Sequence, residues 1–388
     1  MKLAKRVSGI EESATLNITS KAKKMVKDGI DVVSLAAGEP DFDTPAHIKA
    51  AAIRAINDGF TKYTPSSGTL ELREAISKKF KNDNSLDYQA SQIVVSNGAK
   101  HSLYNIFQAL CEKGDEVLIP SPYWLSYPPM VSLAEATPVF IPTRKENNFK
   151  VTEKELAAKV TKKTKCLILN SPSNPTGCVY DHEKIKFIAQ LAVEHNFFVV
   201  SDEIYEKLIY DNKRHISIAS LGKEIYDLTV TVNGVSKSYS MTGWRIGYAA
   251  GPSKLMSAIS NLQSHASSNP ASMSQKAALA ALTEPQGCVK DMRQEFEKRR
   301  DLMVLRIGKI KNMSCVKPEG AFYVLCDMSK LNMGSVKLAN RLLDEAKVAV
   351  IPGEPFGAES FIRLSFAASA DRINKGLDRI EEWVRNNG

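Results

Sequence analysis

Lys237 is the residue whose surroundings point most strongly to catalysis. It follows a strand-like run, lies among small hydroxyl residues and precedes Arg245 by eight positions. A lysine can attack an aldehyde only when its amine is unprotonated, so partial burial and cationic neighbours that lower its pKa favour the reaction. The planar guanidinium of Arg245 is suited to hold a phosphate group. The segment therefore predicts a Schiff-base lysine beside a phosphate-binding arginine.

The elements that must position this lysine follow an α/β pattern. From about residue 90 to about residue 250, short β-rich runs alternate with segments of helical period, which is typical of a mainly parallel sheet covered by helices. Helices are predicted over 100–112 and 183–195. Strands are predicted over 93–96, 116–119, 166–169, 197–200, 228–232 and 246–249.

A smaller α/β unit is predicted after Pro285. A long helix with recurrent apolar residues leads into it, and strands over 321–325, 348–351 and 361–366 alternate with helices near 336–346 and 373–386. The first 45 residues carry little strand signal and are expected to join this unit. The predicted divisions are an N-terminal segment 1–45, a large domain 46–283 and a small C-terminal domain 284–388.

The composition indicates a globular protein that neither spans membranes nor binds nucleic acid. Of 388 residues, 43% are hydrophobic and 24% are charged. No apolar run approaches the roughly 18 residues that a membrane span needs. The formal net charge is +9, but most basic residues alternate with apolar ones at helical spacing, and no zinc spacing or RNP-like motif accompanies them. The six cysteines form no C-x-x-C pair and the N-terminus has no apolar signal segment, so we expect free thiols and a cytoplasmic location.

Signatures of several other chemistries are absent from the sequence. The glycine-rich dinucleotide motif, the Walker A motif, the G-x-S-x-G elbow and the H-E-x-x-H zinc motif do not occur. The six histidines do not cluster in sequence, and each is expected to be a surface or helix residue. We therefore predict no metal site.

Seven short motifs follow one another along the chain. They are AGEPDFDTP (37–45), Tyr63 with SGT (67–69), NGAK (97–100), SPYW (121–124), NSPSNPTG (170–177), SDEIY (201–205) and FIRLS (361–365). Together with the segment around Lys237, they resemble the class I pyridoxal-phosphate-dependent aminotransferases, in particular the bacterial-type aspartate aminotransferase branch. The resemblance spans essentially the whole chain. It implies the α/β architecture of fold type I, with a mainly parallel seven-stranded sheet in the large domain and a smaller α/β domain.

The resemblance implies pyridoxal 5'-phosphate as the cofactor and a residue for each of its parts. Asp202, at the end of a buried strand, would keep the ring nitrogen protonated so that the ring can act as an electron sink. Tyr205 and Asn174 would contact the ring's 3-oxygen, and Trp124, or else its neighbour Tyr123, would stack on the ring. The phosphate would lie at a helix N-terminus. Its expected contacts are Gly98, Ala99, Lys100, Ser236 and Arg245, with Tyr63 reaching it from the other subunit of a homodimer.

Arg363 lies inside an apolar, strand-like run, where a guanidinium is costly to bury unless it pairs with an anion. The resemblance implies that it grips the substrate α-carboxylate, near the amide of Gly38. Lys100 is similar to the lysine that pairs with the distal carboxylate of aspartate or glutamate, although Ala99 stands where a second glycine is commoner. Ser13 belongs to a segment similar to a substrate lid, where it either contacts substrate or caps a helix. The expected substrate contacts are Gly38, Lys100, Trp124, Asn174, Arg363 and Ser13.

The implied reaction is ping-pong transamination, in which the substrate amine displaces Lys237 and the freed lysine acts as general base. Aspartate with 2-oxoglutarate, giving oxaloacetate and glutamate, is the leading pair of substrates. The alternatives are a broader aminotransferase for aromatic amino acids, kynurenine, methionine or prephenate, or a carbon–sulfur β-lyase. A pyridoxal-phosphate-binding regulator would need a DNA-binding domain, for which we expect no room in the roughly 12 residues before the first motif-bearing region.

Overall fold

The computed structural model describes residues 4–8, 10 and 14–387. Its strands, in chain order, are β1 Val33–Ser34, β2 Ile93–Ser96, β3 Glu116–Ser121, β4 Thr137–Pro142, β5 Thr164–Asn170, β6 Phe198–Asp202, β7 Thr229–Gly234, β8 Gly247–Ala250, β9 Ser314–Cys315, β10 Tyr323–Asp327, β11 Val348–Ala349, β12 Ile351–Pro352 and β13 Phe361–Ser365. Its helices are α1 Lys5–Ser8, α2 Ala14–Lys27, α3 Ala46–Asn57, α4 Leu70–Asn84, α5 Ala99–Leu110, α6 Tyr127–Leu133, α7 Glu153–Ala157, α8 His182–His195, α9 Lys223–Asp227, α10 Ser253–Ala266, α11 Ser272–Thr283, α12 Gly287–Ile307, α13 Ser335–Asp344 and α14 Ala370–Asn387. Within these ranges, no helix has both the length and the apolar character that crossing a membrane requires.

A seven-stranded sheet forms the centre of the larger unit, in the order β2-β8-β7-β6-β5-β3-β4. All neighbouring strands are parallel except β8, which runs antiparallel to β2 and β7. The α/β class and the mainly parallel seven-stranded sheet are thus confirmed. The sequence analysis missed β4, because this edge strand has proline at two positions and buries only Ile141 well.

The inner strands end together and bring polar side chains to one edge of the sheet. Every residue of β7 is buried, as is the apolar interior of β5, because helices cover both faces of the sheet. In the pairing of β5 with β6, Asn170 lies opposite Asp202, the last residue of its strand. Ligand sites of open α/β sheets lie outside such carboxyl ends.

The smaller unit contains an antiparallel sheet of order β12-β13-β10-β9, packed against α12, α13 and α14. Ile18 and Ala22 of α2 enter the core of this unit, and β1 pairs with β11. The single strand predicted over 348–351 was wrong. The chain changes partners at Val350, so β11 pairs with β1 whereas β12 pairs with β13. Our proposed divisions after residues 45 and 283 fall directly before α3 and at the end of α11.

Candidate active site

A cavity of about 490 Å³ opens at the carboxyl ends of β5, β6 and β7, beside β10 and β13. It brings together most of the residues that the sequence analysis selected. Those that line it are Gly38, Ala99, Lys100, Trp124, Asn174, Asp202, Tyr205, Ser236, Lys237, Arg245 and Arg363. A volume of this size is typical of a small-molecule site.

Lys237 extends into this cavity from the segment that follows β7. Its Nζ donates a hydrogen bond to the carbonyl oxygen of Gly38 at 2.6 Å. Burial, assisted by the positive charges of Arg363 and Arg245, lowers the pKa of Lys237 to about 8. The amine is therefore more available for attack on a carbonyl than an ordinary lysine near neutral pH.

Asp202 presents a buried carboxylate to the cavity. Its Oδ2 accepts a hydrogen bond from the Tyr127 hydroxyl at 2.7 Å, and its Oδ1 accepts one from the Ile204 amide at 3.3 Å. Burial raises the pKa of Asp202 to about 6, against the lowering effect of these two hydrogen bonds. A cationic N–H donor in the cavity would stabilise this carboxylate strongly, since a buried charge requires a charged partner.

Tyr205 lies three residues beyond Asp202 and faces the same cavity. Its hydroxyl is 3.0 Å from that of Tyr323 in β10, so the two phenols share a hydrogen bond. Burial raises the pKa of Tyr205 well above its usual value. The hydroxyl therefore remains protonated and can donate a hydrogen bond to an anionic oxygen.

Arg363 is a buried cation that forms no ion pair with any acidic residue of the described chain. Its exposed fraction is 3%, and it donates to Asn174 Oδ1 at 3.0 Å and to the Ala36 carbonyl at 3.2 Å. Its Nε has no hydrogen-bond partner within the described chain. The other two buried arginines of that part of the chain, Arg299 and Arg300, each form ion pairs with carboxylates. Arg363 thus has the unpaired charge and the free donor that an incoming carboxylate requires.

The first turn of α5 forms an anion-binding cradle. The first hydrogen bonds of the helix run from the amides of His101 and Ser102 to the Gly98 carbonyl, so the amides of Ala99 and Lys100 have no acceptor within the helix and can bind a ligand. Gly98 has a φ of +87°, and a Cβ there would lie 2.3 Å from Arg245. A Cβ on Gly247 would lie 2.0 Å from the Ala99 amide nitrogen. Glycine at position 98 therefore lets the Arg245 guanidinium approach the start of α5, and glycine at position 247 lets β8 do the same.

Lys100 lies on the Trp124 side of the cavity. Its Nζ is 4.9 Å from the centroid of the Trp124 ring, within the range of a cation–π contact. Burial, with a contribution from Arg245, lowers the pKa of Lys100. Tyr123 stacks on Phe140 instead of lining this cavity. Of the two aromatic residues that the sequence left open, Trp124 is therefore the one at the site.

Two predicted residues do not line the cavity, and a third is not among the described residues. Gly98 lies directly behind the cradle, as described above. Tyr63 is 90% exposed and does not contribute to the cavity wall within the chain. Ser13 lies outside the described residues. Packing inside the chain does not require glycine at Gly38, because a Cβ there would meet only the Tyr323 hydroxyl, at 3.8 Å.

The sequence analysis missed several residues that complete the cavity. Tyr127 and Tyr323 hold Asp202 and Tyr205 through their hydroxyls. Asn170 donates to the Asp202 carbonyl at 3.0 Å and accepts from the Asn174 amide at 2.9 Å. Of these, only Asn170 had a signal in the sequence, because it is the first residue of the 170–177 motif. The others to be added to the cavity wall are Thr19, Lys23, Ala36, Glu39, Leu103, Leu125, Ile204 and Thr242.

Comparison with known proteins identifies the family. The profile of the class I and II aminotransferases matches residues 30–380. The chain belongs to this family. The aminotransferase is 50% identical over 388 residues to an aspartate aminotransferase of Bacillus sp. strain YM-2, with 99% of each chain covered. It is 49% identical over 386 residues to a probable aspartate/prephenate aminotransferase of Aquifex aeolicus, with 98% of each covered.

Among solved structures, the aminotransferase is similar to the aspartate aminotransferase of Thermus thermophilus determined with maleate. The TM-score is 0.95 at 42% identity, and the match covers 98% of this chain and 99% of that one. The residues that the family profile matches include the segments that carry Lys237, Asp202 and Arg363. This similarity over nearly the full length confirms the family and fold type that the motifs predicted.

Proposed function

We propose that this aminotransferase transfers the amino group between aspartate and 2-oxoglutarate with pyridoxal 5'-phosphate as cofactor. The observation that carries the proposal is the buried guanidinium of Arg363, which lies in the same cavity as Lys237 and has no carboxylate partner in the part of the chain that the structure describes. Lys100 supplies a second cation from a different wall, beside Trp124. Two separate cations suit a substrate with two carboxylates. The similar Bacillus protein is named as an aspartate aminotransferase, which supports this choice.

The residues of the cavity fit the cofactor that the family implies. The α5 cradle and Arg245 would hold its phosphate, since they offer free amides and a positive charge. Asp202, buried without a cationic hydrogen-bond partner in the described chain, would bind its protonated ring nitrogen. Trp124 would cover one face of its ring. When bound, pyridoxal 5'-phosphate supplies the electron sink for a substrate α-carbanion.

The chain's own groups then divide the work of the reaction. Arg363, with Asn174, would orient the substrate by its α-carboxylate, and Lys100 would orient it by the distal one. Lys237, whose pKa of about 8 lies near physiological pH, would carry the proton that leaves the substrate α-carbon. Tyr205 and Asn174 would donate hydrogen bonds to the cofactor oxygen beside this lysine. Each of these roles is supported by the shared cavity wall.

An absorption spectrum of the purified protein with pyridoxal 5'-phosphate tests the proposed function. Aspartate alone, without a keto acid, is expected to convert the visible band of the bound cofactor and to release oxaloacetate. Phenylalanine and the amino acid that forms when prephenate is transaminated are tested as amino donors in parallel samples. The second is included because the similar Aquifex protein is named for both aspartate and prephenate. If only phenylalanine converts the cofactor band, the protein is still a transaminase, but the proposed preference for aspartate is refuted. Absence of a bound-cofactor band would refute the proposal as a whole.

Replacement of Lys100 tests the assignment of the distal carboxylate. For Lys100→Ser we expect kcat/KM for aspartate to fall about 100-fold, because a charge-assisted hydrogen bond contributes about 2 to 3 kcal/mol. The value for phenylalanine is expected to change less than about threefold. Lys113→Ser, which removes an exposed lysine shortly after α5, is the matched control and should change neither value. Equal losses with both substrates would make Lys100 a phosphate contact only.

Tyr63 supports assembly of the site across a homodimer. Its side chain is 90% exposed, and three more exposed apolar side chains, Ile53, Ile56 and Leu70, lie close to it in sequence. A contiguous patch of exposed apolar side chains marks a protein interface, and these four residues are candidates to form one. We therefore propose that a second copy of the chain covers this surface and that Tyr63 reaches the phosphate in the partner's cavity.

The hydroxyl of Tyr63 provides the test. Tyr63→Phe is expected to raise the Kd for pyridoxal 5'-phosphate about tenfold, since one hydrogen bond to an anion is lost. Sedimentation should show dimers for both proteins, because the ring remains in the interface. A monomeric wild-type protein, or an unchanged Kd in the variant, would contradict this role.

We also propose that the protein is cytoplasmic. Its six cysteines are free thiols, which is typical of a reducing compartment.

A further inference from the structure

A charged cluster lies behind the cavity wall that carries Asp202 and Tyr205. In the segment that ends β6 and continues beyond it, Asp202 and Tyr205 line the cavity. The carboxylates that alternate with them, Glu203 and Glu206, do not line it and are 0% and 8% exposed. The same short segment therefore presents two groups to the substrate side and two buried charges to the interior.

Two residues of α4 hold the buried carboxylates. Lys79 forms an ion pair with Glu206 and donates to Asn84 Oδ1 at 2.7 Å. Asn84 Nδ2 in turn donates to Glu206 Oε2 at 2.7 Å and to Glu203 Oε2 at 3.3 Å. Burial alone would raise the pKa of Glu206, but Lys79 and the other neighbouring donors hold it at about 2. Glu206 is thus a permanent anion near neutral pH.

The loop before α9 contacts Glu203 from another direction. His215 Nε2 lies 2.9 Å from Glu203 Oε2, and the Ser217 hydroxyl donates to Glu203 Oε1 at 2.6 Å. Burial would lower the pKa of His215, but the carboxylates of Glu203 and Glu206 outweigh it and raise the pKa. The expectation that every histidine lies on the surface or on a helix was therefore wrong for His215, which is buried in a loop as the partner of an acid.

The cluster supplies its own positive charge. Ligand-type atoms of Glu203, Glu206 and His215 lie within 4.8 Å of one another, a spacing that also suits a cation. However, the Lys79 ammonium already pairs with Glu206, and His215, whose pKa the two carboxylates raise, lies beside Glu203. The cluster therefore keeps ionisable side chains largely away from water, although an apolar replacement would cost less desolvation. Packing alone therefore does not explain why these ionisable side chains are present.

We propose that the cluster of Lys79, Glu203, Glu206 and His215 is a positioning element of the active site. It fixes segment 202–206 from behind, so that Asp202 and Tyr205 keep their places in the cavity. Its net charge also sets the electrostatic potential at the titratable groups of the cavity wall. The inference rests on the proposed function, because the cavity groups are read out through the bound cofactor.

The sign of the expected effect follows from Coulomb's law. The negative charge of Glu203 is one of the contributions that raise the pKa of Asp202. Loss of the positive charge at His215 leaves the cluster more negative and raises the pKa values of the cavity groups, whereas loss of the negative charge at Glu203 lowers them. The titratable groups that act on His215 are Glu203, Glu206 and Lys79. Asp83 lies beside Lys79 and pairs with Lys207, and the phenols of Tyr88, Tyr239 and Tyr248 lie within the electrostatic range of Glu203, Glu206 or Asp83.

The test measures the pH midpoint of the absorbance change of the cofactor-loaded enzyme. We expect His215→Asn to raise the midpoint by about half a pH unit and Glu203→Gln to lower it by about half a unit. The double variant is expected to return to within about 0.2 unit of the wild type, because the net charge is restored. Structural damage would impair both single variants alike. Midpoint shifts of opposite sign that cancel in the double variant therefore report the change in charge.

Three further variants make the test decisive. His215→Lys keeps the positive charge and should keep the wild-type midpoint, even if Glu203→Gln does not fold. Ser217→Ala removes a hydrogen bond to Glu203 without changing charge, and Lys81→Met removes an exposed ion pair of α4, so neither should shift the midpoint. Identical midpoints for His215→Asn and the wild type would overturn the proposal. Failure of the wild-type protein to show a cofactor band would instead refute the proposed function.

Discussion

Lys237→Ala is expected to abolish transamination, with kcat lower by at least about 10⁴-fold. Loss of a general base alone costs roughly 10²–10⁴-fold, and this lysine is also expected to bind the cofactor covalently. The variant should still fold, because Lys237 makes one side-chain hydrogen bond among the described contacts, to the Gly38 carbonyl. Substrate turnover measured by coupled detection of oxaloacetate gives the rate.

A covalent readout separates the role of Lys237 from a general loss of the site. After reduction with borohydride, the wild-type protein is expected to carry the mass of one reduced cofactor on the peptide containing residue 237, whereas the variant should carry none. The variant should nevertheless bind pyridoxal 5'-phosphate reversibly, since Arg245 and the α5 cradle remain. Transamination near the wild-type rate would remove Lys237 from the mechanism.

Some of the predicted positions follow from local sequence pattern alone. Asp202 follows a run of apolar β-forming residues, so its position at the end of a parallel strand could be predicted. The glycine at 98 between a strand and a helix likewise marks the start of α5. Tyr127 and Tyr323 have no such pattern. Their contacts to Asp202 and Tyr205 join residues 75 and 118 positions apart, which only the folded chain brings together.

The fold likewise has features that local sequence determines and features that depend on contacts between distant parts of the chain. The inner strands are rich in apolar and β-branched residues because both faces of the sheet are covered, so their sequence reports their burial. The separation of β11 from β12 is invisible in an apolar run, since it depends on which strands lie beside them. His215 resembles a polar loop residue in sequence, and its buried contact with Glu203 depends on how that loop packs.

Arg363→Leu is expected to lower kcat/KM for every amino acid substrate by about 10³-fold. Two charge-assisted hydrogen bonds to the α-carboxylate contribute about 2 kcal/mol each, and both are lost. The loss should be alike for aspartate and phenylalanine, because all amino acids carry this carboxylate, in contrast to Lys100→Ser. Arg363→Lys should recover little, since an ammonium lacks the paired donors of the guanidinium. An unchanged kcat/KM would refute the contact.

Stability distinguishes a binding arginine from a structural one. Because Arg363 has no ion pair in the described part of the chain, its replacement by leucine should leave the free energy of unfolding of the apoprotein within about 1 kcal/mol or raise it. Arg300→Leu is the matched control, since this fully buried guanidinium pairs with Asp211. We expect it to lower the free energy of unfolding by about 3 kcal/mol while kcat/KM of the folded enzyme stays unchanged. Removal of a charge that serves binding should lower kcat/KM and leave the free energy of unfolding unchanged. A large loss of stability in Arg363→Leu, with kcat/KM unchanged, would therefore mean that Arg363 stabilises the fold.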